Sequence, residues 1–250
     1  MDRAVRHGCP IRAMSFSRIF VVHGKQQSGT KETQLRTLAV NTFMSLDGVM
    51  QAPGGPDEDP TGGFSYGGWA VTYFDDEMMG QMAEAGPYEL LLGRATYEIF
   101  AAHWPYDEGP IADQLNSTRK HVASTTLDRV EWNNSTLITG DVAAYVASLK
   151  RQDGPEIQVH GSAGLIQTLL KHDLIDEFRL WIFPVVIGTG KRFFGDGTIP
   201  AGLKLVDSRV STTGVTINTY ERAGDISPGS FEFDEPTEAE IERRQRLAAD

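Results

Sequence analysis

"EIQVHGSAGLIQTLLKHD", residues 156–173, decides the fold. Ile157 and Val159 make a short apolar approach, Gly161 to Gly164 are small, and Leu165, Ile166, Leu169 and Leu170 then repeat at helical spacing. Small residues where a strand hands over to a helix have two readings. One is a tight turn. The other is a backbone against which a phosphate lies, because the first turn of a helix carries unpaired N–H groups and the positive end of its dipole. Gly161 and Gly164 allow close approach, and Ser162 has a hydroxyl to donate. The spacing falls short of G-x-G-x-x-G, and from this stretch alone both readings stand.

The same unit recurs on either side. "YELLLG" (88–93) runs into "RATYEIFAAHW", "RKHVAST" (119–125) is another short strand, and "STLITG" (135–140) precedes "DVAAYVASLKRQ". This alternation predicts right-handed crossovers and a mostly parallel sheet. "RTLAVNTFMSLDG" (36–48) supplies the first strand. After "IDEFRLWIFPVVIG" the alternation stops, and "LKLVDSRVST" and "VTINTYER" flank Thr213-Gly214 as an antiparallel hairpin. Between the first strand and the helix "FDDEMMGQMAEAG", with Asp75 as N-cap and Gly86 as stop, lies the loop "QAPGGPDEDPTGGFSYGGWA". A loop of about 20 residues inside a compact domain is a lid, a binding loop or a disordered segment.

The 250 residues suffice for one large core, and the body between the ends reads as a single domain, residues 36–224. A net charge of −11 gives no electrostatic support to nucleic-acid binding. Residues 1–35 lack a period, are rich in Lys and Arg, and read as a flexible extension; residues 225–250 read as an acidic tail, helical in part. Cys9 is the only cysteine, which excludes an intrachain disulfide. The apolar run "IFVVHG" (19–24) is too short for a membrane span or a secretory core, so the expected location is the cytoplasm, with no membrane partner.

Two further strand ends carry anion-binding chemistry. Gly93 closes a strand and Arg94 opens a helix with Thr96 in its first turn; a cation is unfavourable there unless an anion lies between it and the helix dipole. Ser124, Thr125 and Thr126 end another strand with hydroxyls that serve an anion or cap a turn. Asp47, in "SLDG", is a turn-former or a proton donor, Asp75 a helix cap or an acid, and His160 a general acid near neutrality or a satisfied histidine. Trp69 and Phe64 cover a flat ring or anchor their loop. "GTGK" (188–191) lacks P-loop spacing, and "PDEDP" (56–60) lacks EF-hand spacing and reads as solvated loop.

"NTFMSLDGVMQAPGG", "LLLGRATYE", "KHVASTTL", "VHGSAGLIQTLLKHDLIDEFRLWIFPVVIGTGKRFF" and the closing hairpin, in this order over residues 36–223, resemble the dihydrofolate-reductase-like family. The nearer resemblance is to stand-alone relatives of the reductase domain of the bifunctional riboflavin-biosynthesis deaminase-reductase. It implies a three-layer α/β/α fold and an NADPH-dependent reductase of a small pterin- or pyrimidine-like substrate, often a homodimer. It places Gly93, Arg94 and Thr96 at the adenosine phosphates and Ser124 and Thr125 at the 2′-phosphate end. Gly161, Ser162, Ala163 and Gly164 then fall at the pyrophosphate, and Val40, Asn41 and Thr42 near the nicotinamide. Asp75 or Asp76 roughly matches the carboxylate that serves the pterin of folate reductases. Two departures weaken the link to riboflavin itself. His160 stands where the riboflavin enzymes carry an acid, and no deaminase zinc motif is present. A protein that keeps the fold and binds a nucleotide or flavin without turnover is the alternative implied.

Overall fold

A computed structural model describes residues 35–83, 86–196, 198–231, 233 and 235–249. The expectations for residues 1–34, including the extension and Cys9, lie outside these.

The strand–helix units form as read. They are β1 (Leu38–Ser45), α1 (Asp76–Ala83), β2 (Tyr88–Gly93), α2 (Arg94–His103), α3 (Pro110–Ser117), β3 (Lys120–Ala123), β4 (Ser135–Ile138), α4 (Val142–Lys150), β5 (Glu156–Val159), α5 (Ala163–Lys171) and β6 (Glu177–Phe183). Then come the hairpin β7 (Leu203–Val210) and β8 (Thr216–Arg222), and α6 (Glu238–Leu247) in the tail. Helix α3 was missed by the sequence reading. Its signal was Gly109-Pro110, since proline favours the first helical position, where no N–H is needed. The long loop is folded, with short 3₁₀ turns at Thr61–Gly63 and Val71–Tyr73.

Among the described residues, eight strands make one sheet in the order β4-β3-β2-β5-β1-β6-β8-β7. The strands β1 to β6 pair in parallel, while β6–β8 and β8–β7 pair antiparallel. The fold is thus the dihydrofolate-reductase-like α/β/α arrangement, a parallel core with an antiparallel C-terminal edge.

Side-chain alternation decides the layers. Leu38 and Val40 of β1, Leu91 of β2 and Ile157 and Val159 of β5 face α4 and α5 and form the main core with Leu165, Ile166 and Leu169. On the other face, Leu90 and Leu92 pack with Tyr97 of α2, Leu115 of α3 and Trp132. Farther along that face Trp181, Phe183 and Ile217 pack under Met78 of α1 and Ala70. Between these two apolar clusters the same face carries Gln158, His160 and Asn41, none of which belongs to a hydrophobic cluster. Among the described residues no helix is long and apolar enough to cross a membrane.

Candidate active site

Strands β2 and β5 are neighbours, yet the helices that follow them lie on opposite faces: α2 with the Leu90–Leu92 cluster, α5 with the main core. That is a topological switch point, and the crevice beyond the carboxyl ends of such strands is where open α/β sheets bind ligands. A cleft of about 1220 Å³ opens there.

Its rim is built from two helix starts. The N-cap of α2 is Gly93 and that of α5 is Ser162, and neither helix has a side-chain cap. The Ser162 hydroxyl instead donates to Thr96 Oγ1 at 2.6 Å. By contrast α1, α4 and α6 are capped by Asp75, Asp141 and Thr237. Helix α3 also lacks a cap but begins with proline, which has no N–H to satisfy. The first N–H groups of α2 and α5 thus have no side-chain cap. Ser162 holds a φ of 72°, a left-handed conformation that costs a residue with a Cβ about 1–2 kcal/mol.

The glycines of the two turns differ in their surroundings. A Cβ on Gly93 would lie 2.6 Å from Ser162, and one on Gly161 would lie 3.1 Å from Thr96 Oγ1. These two are small because one turn packs on the other. Gly164 has nothing within 4 Å of such a Cβ, so open backbone faces outward there.

Gly93, Arg94, Thr96, Ser124, Thr125, Gly161, Ser162, Ala163 and Gly164 all line the cleft, as do Asn41 and Thr42. Val40 does not; it is buried in the core on the opposite face. Arg94 is half exposed, 3.5 Å from Glu98 one turn on. Ser124 Oγ accepts from the N–H groups of Thr126 and Leu127, so it shapes its turn while lining the cleft.

Four of the candidate residues lie outside the cleft. Asp47 lies outside the cleft and latches the β6–β7 connection. It accepts from Ser45 Oγ at 2.7 Å and from the N–H groups of Ile187 at 3.0 Å and Gly188 at 2.8 Å, and pairs with Arg192. Burial pushes its pKa up, but these donors outweigh it and hold the carboxyl at about 2, so it has no proton to give at neutral pH. Asp75 is also outside, capping α1 through Met78 N–H and bonding Thr212 in the hairpin turn. Trp69 donates to the Gln51 carbonyl and stacks edge-on to Phe183; Phe64 is buried against Val49 and Ala52. Both aromatics anchor the loop, and neither lines the cleft. His160 does line the cleft; burial, then Arg179, pushes its pKa down to about 4, which favours the neutral ring.

Several lining residues gave no local signal. Phe43, Tyr88, Gln158 and Trp181 lie on the cleft side of four strands, and the Trp181 indole donates to Asn41 Oδ1 at 2.8 Å. Loop residues 50–59 wall the cleft because Gln51 staples them. Its amide donates to the carbonyls of Asp59 and Thr61 and accepts from Lys191 N–H, while Lys191 Nζ pairs with Asp59 at 2.5 Å. No group of His, Cys, Asp and Glu able to hold a metal occurs among the described residues.

The chain is 28% identical over 204 residues to the uncharacterized protein YyaP of Bacillus subtilis (strain 168), covering 78% of this chain and all of that one. Among solved structures it resembles a protein of Shewanella sp. PV-4 described for riboflavin biosynthesis, with 23% identity and a TM-score of 0.54, covering 75% and 99% of the two chains. A pyrimidine reductase-like protein of Corynebacterium diphtheriae NCTC superposes with a TM-score of 0.51 at 12% identity, covering 77% and 94%. These two likenesses concern the fold. The model of the RibD C-terminal domain matches residues 36–217, which hold β1 to β6 and every residue named on the cleft rim, and the chain belongs to that family.

Proposed function

We propose that this protein is an NADPH-dependent reductase that transfers hydride to a C=N or C=O carbon of a small pterin- or pyrimidine-like heterocycle. One observation carries the reading: the uncapped N-termini of α2 and α5 stand side by side on one cleft. One such terminus suits a phosphate, and two together suit a pyrophosphate. The cleft exceeds the about 300–1,000 Å³ of an ordinary small-molecule pocket, which leaves room for a dinucleotide and a second ring. The names of the two fold relatives, riboflavin biosynthesis and pyrimidine reductase-like, agree with this choice.

NADPH supplies the hydride when bound; the chain supplies binding, orientation and a dry surface. The starts of α2 and α5 with Arg94 would hold the phosphates, Ser124 and Thr125 would serve the 2′-phosphate end, and Asn41 and Thr42 would orient the reacting end; all of these residues line the cleft. Phe43 and Trp181 form an apolar floor that excludes water. The expected partners are the small-molecule substrate and a second copy of the chain. Strand β7 supports the latter, since it is the sheet edge and all eight of its residues are exposed.

Titration of the full chain with NADPH, followed by quenching of tryptophan fluorescence, tests the reading, because Trp104 and Trp181 line the cleft. Saturable binding and NADPH oxidation with a pterin or pyrimidine are expected. Binding without oxidation by any such compound would favour a nucleotide-binding protein without turnover. Absence of binding would overturn the reading.

A further inference from the structure

The surroundings of His160 fix where its proton sits. Its Nε2 lies 2.7 Å from Gln158 Oε1, and Gln158 Nε2 lies 2.6 Å from Glu156 Oε1. A carboxylate oxygen only accepts, so the Gln158 NH₂ must face Glu156 and its carbonyl must face His160. That carbonyl only accepts as well. His160 therefore carries its hydrogen on Nε2 and keeps a lone pair on Nδ1.

Glu156 is itself immobilised by two parallel bonds from Arg179, at 2.7 and 2.6 Å, and Arg179 Nε bonds Glu177 at 2.5 Å. Strand β1 runs between these partners. It places small Ala39 opposite both Gln158 and Glu177, and this opens the space through which Arg179 reaches Glu156. Nδ1 has no hydrogen-bond partner among the described residues, and His160 lines the cleft. Beside it is Tyr88 of β2, ring centroid 5.6 Å away and tilted 45°, which also lines the cleft and whose hydroxyl has no partner among the described residues. Burial pushes the Tyr88 pKa up to about 12, which keeps its O–H a donor.

We propose that Arg179, Glu156 and Gln158 form a positioning relay that locks His160 as the Nε2–H tautomer, so that His160 Nδ1 and Tyr88 O–H together read an N–H beside a C=O on the substrate. The substrate class is then an uncharged lactam heterocycle. The identity of the ligand rests on the reductase reading, but the lock is a property of the chain alone. His160 and Tyr88 are specificity-determining residues; the other three act through His160.

Imidazole ¹⁵N spectra of the full chain test the lock, with His160→Gln identifying the signal. The expected wild-type signal is a single Nε2–H tautomer that does not titrate between about pH 5 and 8. Gln158→Met and Glu156→Gln should each release it into a mixture of tautomers. An Nδ1–H form in the wild type, or titration near the ordinary value of about 6.5, would overturn the proposal. The second arm uses pterin and 3-methylpterin, which lacks the lactam N–H, on the NADPH-saturated chain. Pterin should bind the wild type about 3- to 10-fold more tightly than it binds Gln158→Met, and 3-methylpterin should bind both equally weakly. Equal binding of the two pterins to the wild type would sink the lactam assignment. Failure of NADPH itself to bind, with the tautomer lock intact, would remove the reductase reading alone, and the pterin pair on the bare chain would then decide the edge.

Discussion

Asp47 and Arg94 are single residues whose roles separate by their partners. The Asp47 carboxylate is fully used by donors from the β6–β7 connection, and its folded pKa of about 2 lies below the ordinary 3.8. Its stabilisation is therefore complete above about pH 4 and is lost as pH falls through 2. Asp47→Asn should cost about 1–2 kcal/mol at pH 7 and progressively less toward pH 3, as urea melts at the two pH values would record. NADPH affinity should not change, because Asp47 is not on the cleft. Arg94 is the reverse case. It is half exposed, with one loose partner in Glu98, so its loss should leave stability alone. A charge-assisted bond to a phosphate is worth about 1.5–3 kcal/mol, so Arg94→Ala should weaken NADPH by roughly 10- to 150-fold. NADH should weaken far less if the contact is to the 2′-phosphate, and equally if it is to the pyrophosphate. Fluorescence titration with both cofactors separates these outcomes, and no change with either would remove Arg94 from the site.

At the scale of elements, the site depends on two strand–helix turns locked face to face. Gly93 ends β2 and Ser162 starts α5, and there is no space between them for another carbon. Gly93→Ala places a Cβ 2.6 Å from the Ser162 side chain and should cost about 1–3 kcal/mol, with loss of NADPH binding as the turns part. Ser162→Gly removes the obstructing atoms and relieves the left-handed strain, while giving up the hydroxyl bond to Thr96, so alone it should be nearly neutral. The double variant should recover most of the lost stability in thermal melts. If it melts with Gly93→Ala, the contact between the turns is not what makes Gly93 necessary.

On the scale of the whole molecule, the core closes before the tail begins. At the base of the hairpin Gly202 N–H donates to the Gly224 carbonyl and the Gly202 carbonyl accepts from Ala223 N–H, and α6 beyond them buries no residue. A chain of residues 36–224 should melt within a few degrees of the full chain and bind NADPH equally; a large drop in either would place part of the core outside those bounds. The exposed edge strand β7, with Leu205 at 51%, Val206 at 49% and Val210 at 60% accessibility, is the surface we expect a second copy to cover. Light scattering of the full chain should give twice the 27.5 kDa chain mass, and Val206→Lys should halve it. A monomeric wild type would dismiss the dimer.

The units with a local period were legible without the structure. "EIQVHGSAGLIQTLLKHD" announced a strand, a turn and a helix because alternation and helical spacing are written along the chain, and Thr213-Gly214 announced the hairpin in the same way. Asp75 was legible as a cap because its partner is three residues away. What tertiary structure alone decided are the contacts that the strand order creates. Insertion of β5 between β2 and β1 places Ser162 against Gly93 and sets His160 beside Tyr88, pairs separated by about 70 residues in sequence. The same closure brings the N–H groups of Ile187 and Gly188 onto Asp47, turning a candidate acid into a latch. Local sequence fixes which way a side chain alternates, but the partner it meets is set by which strand lies next, and that is settled by burial of the whole sheet.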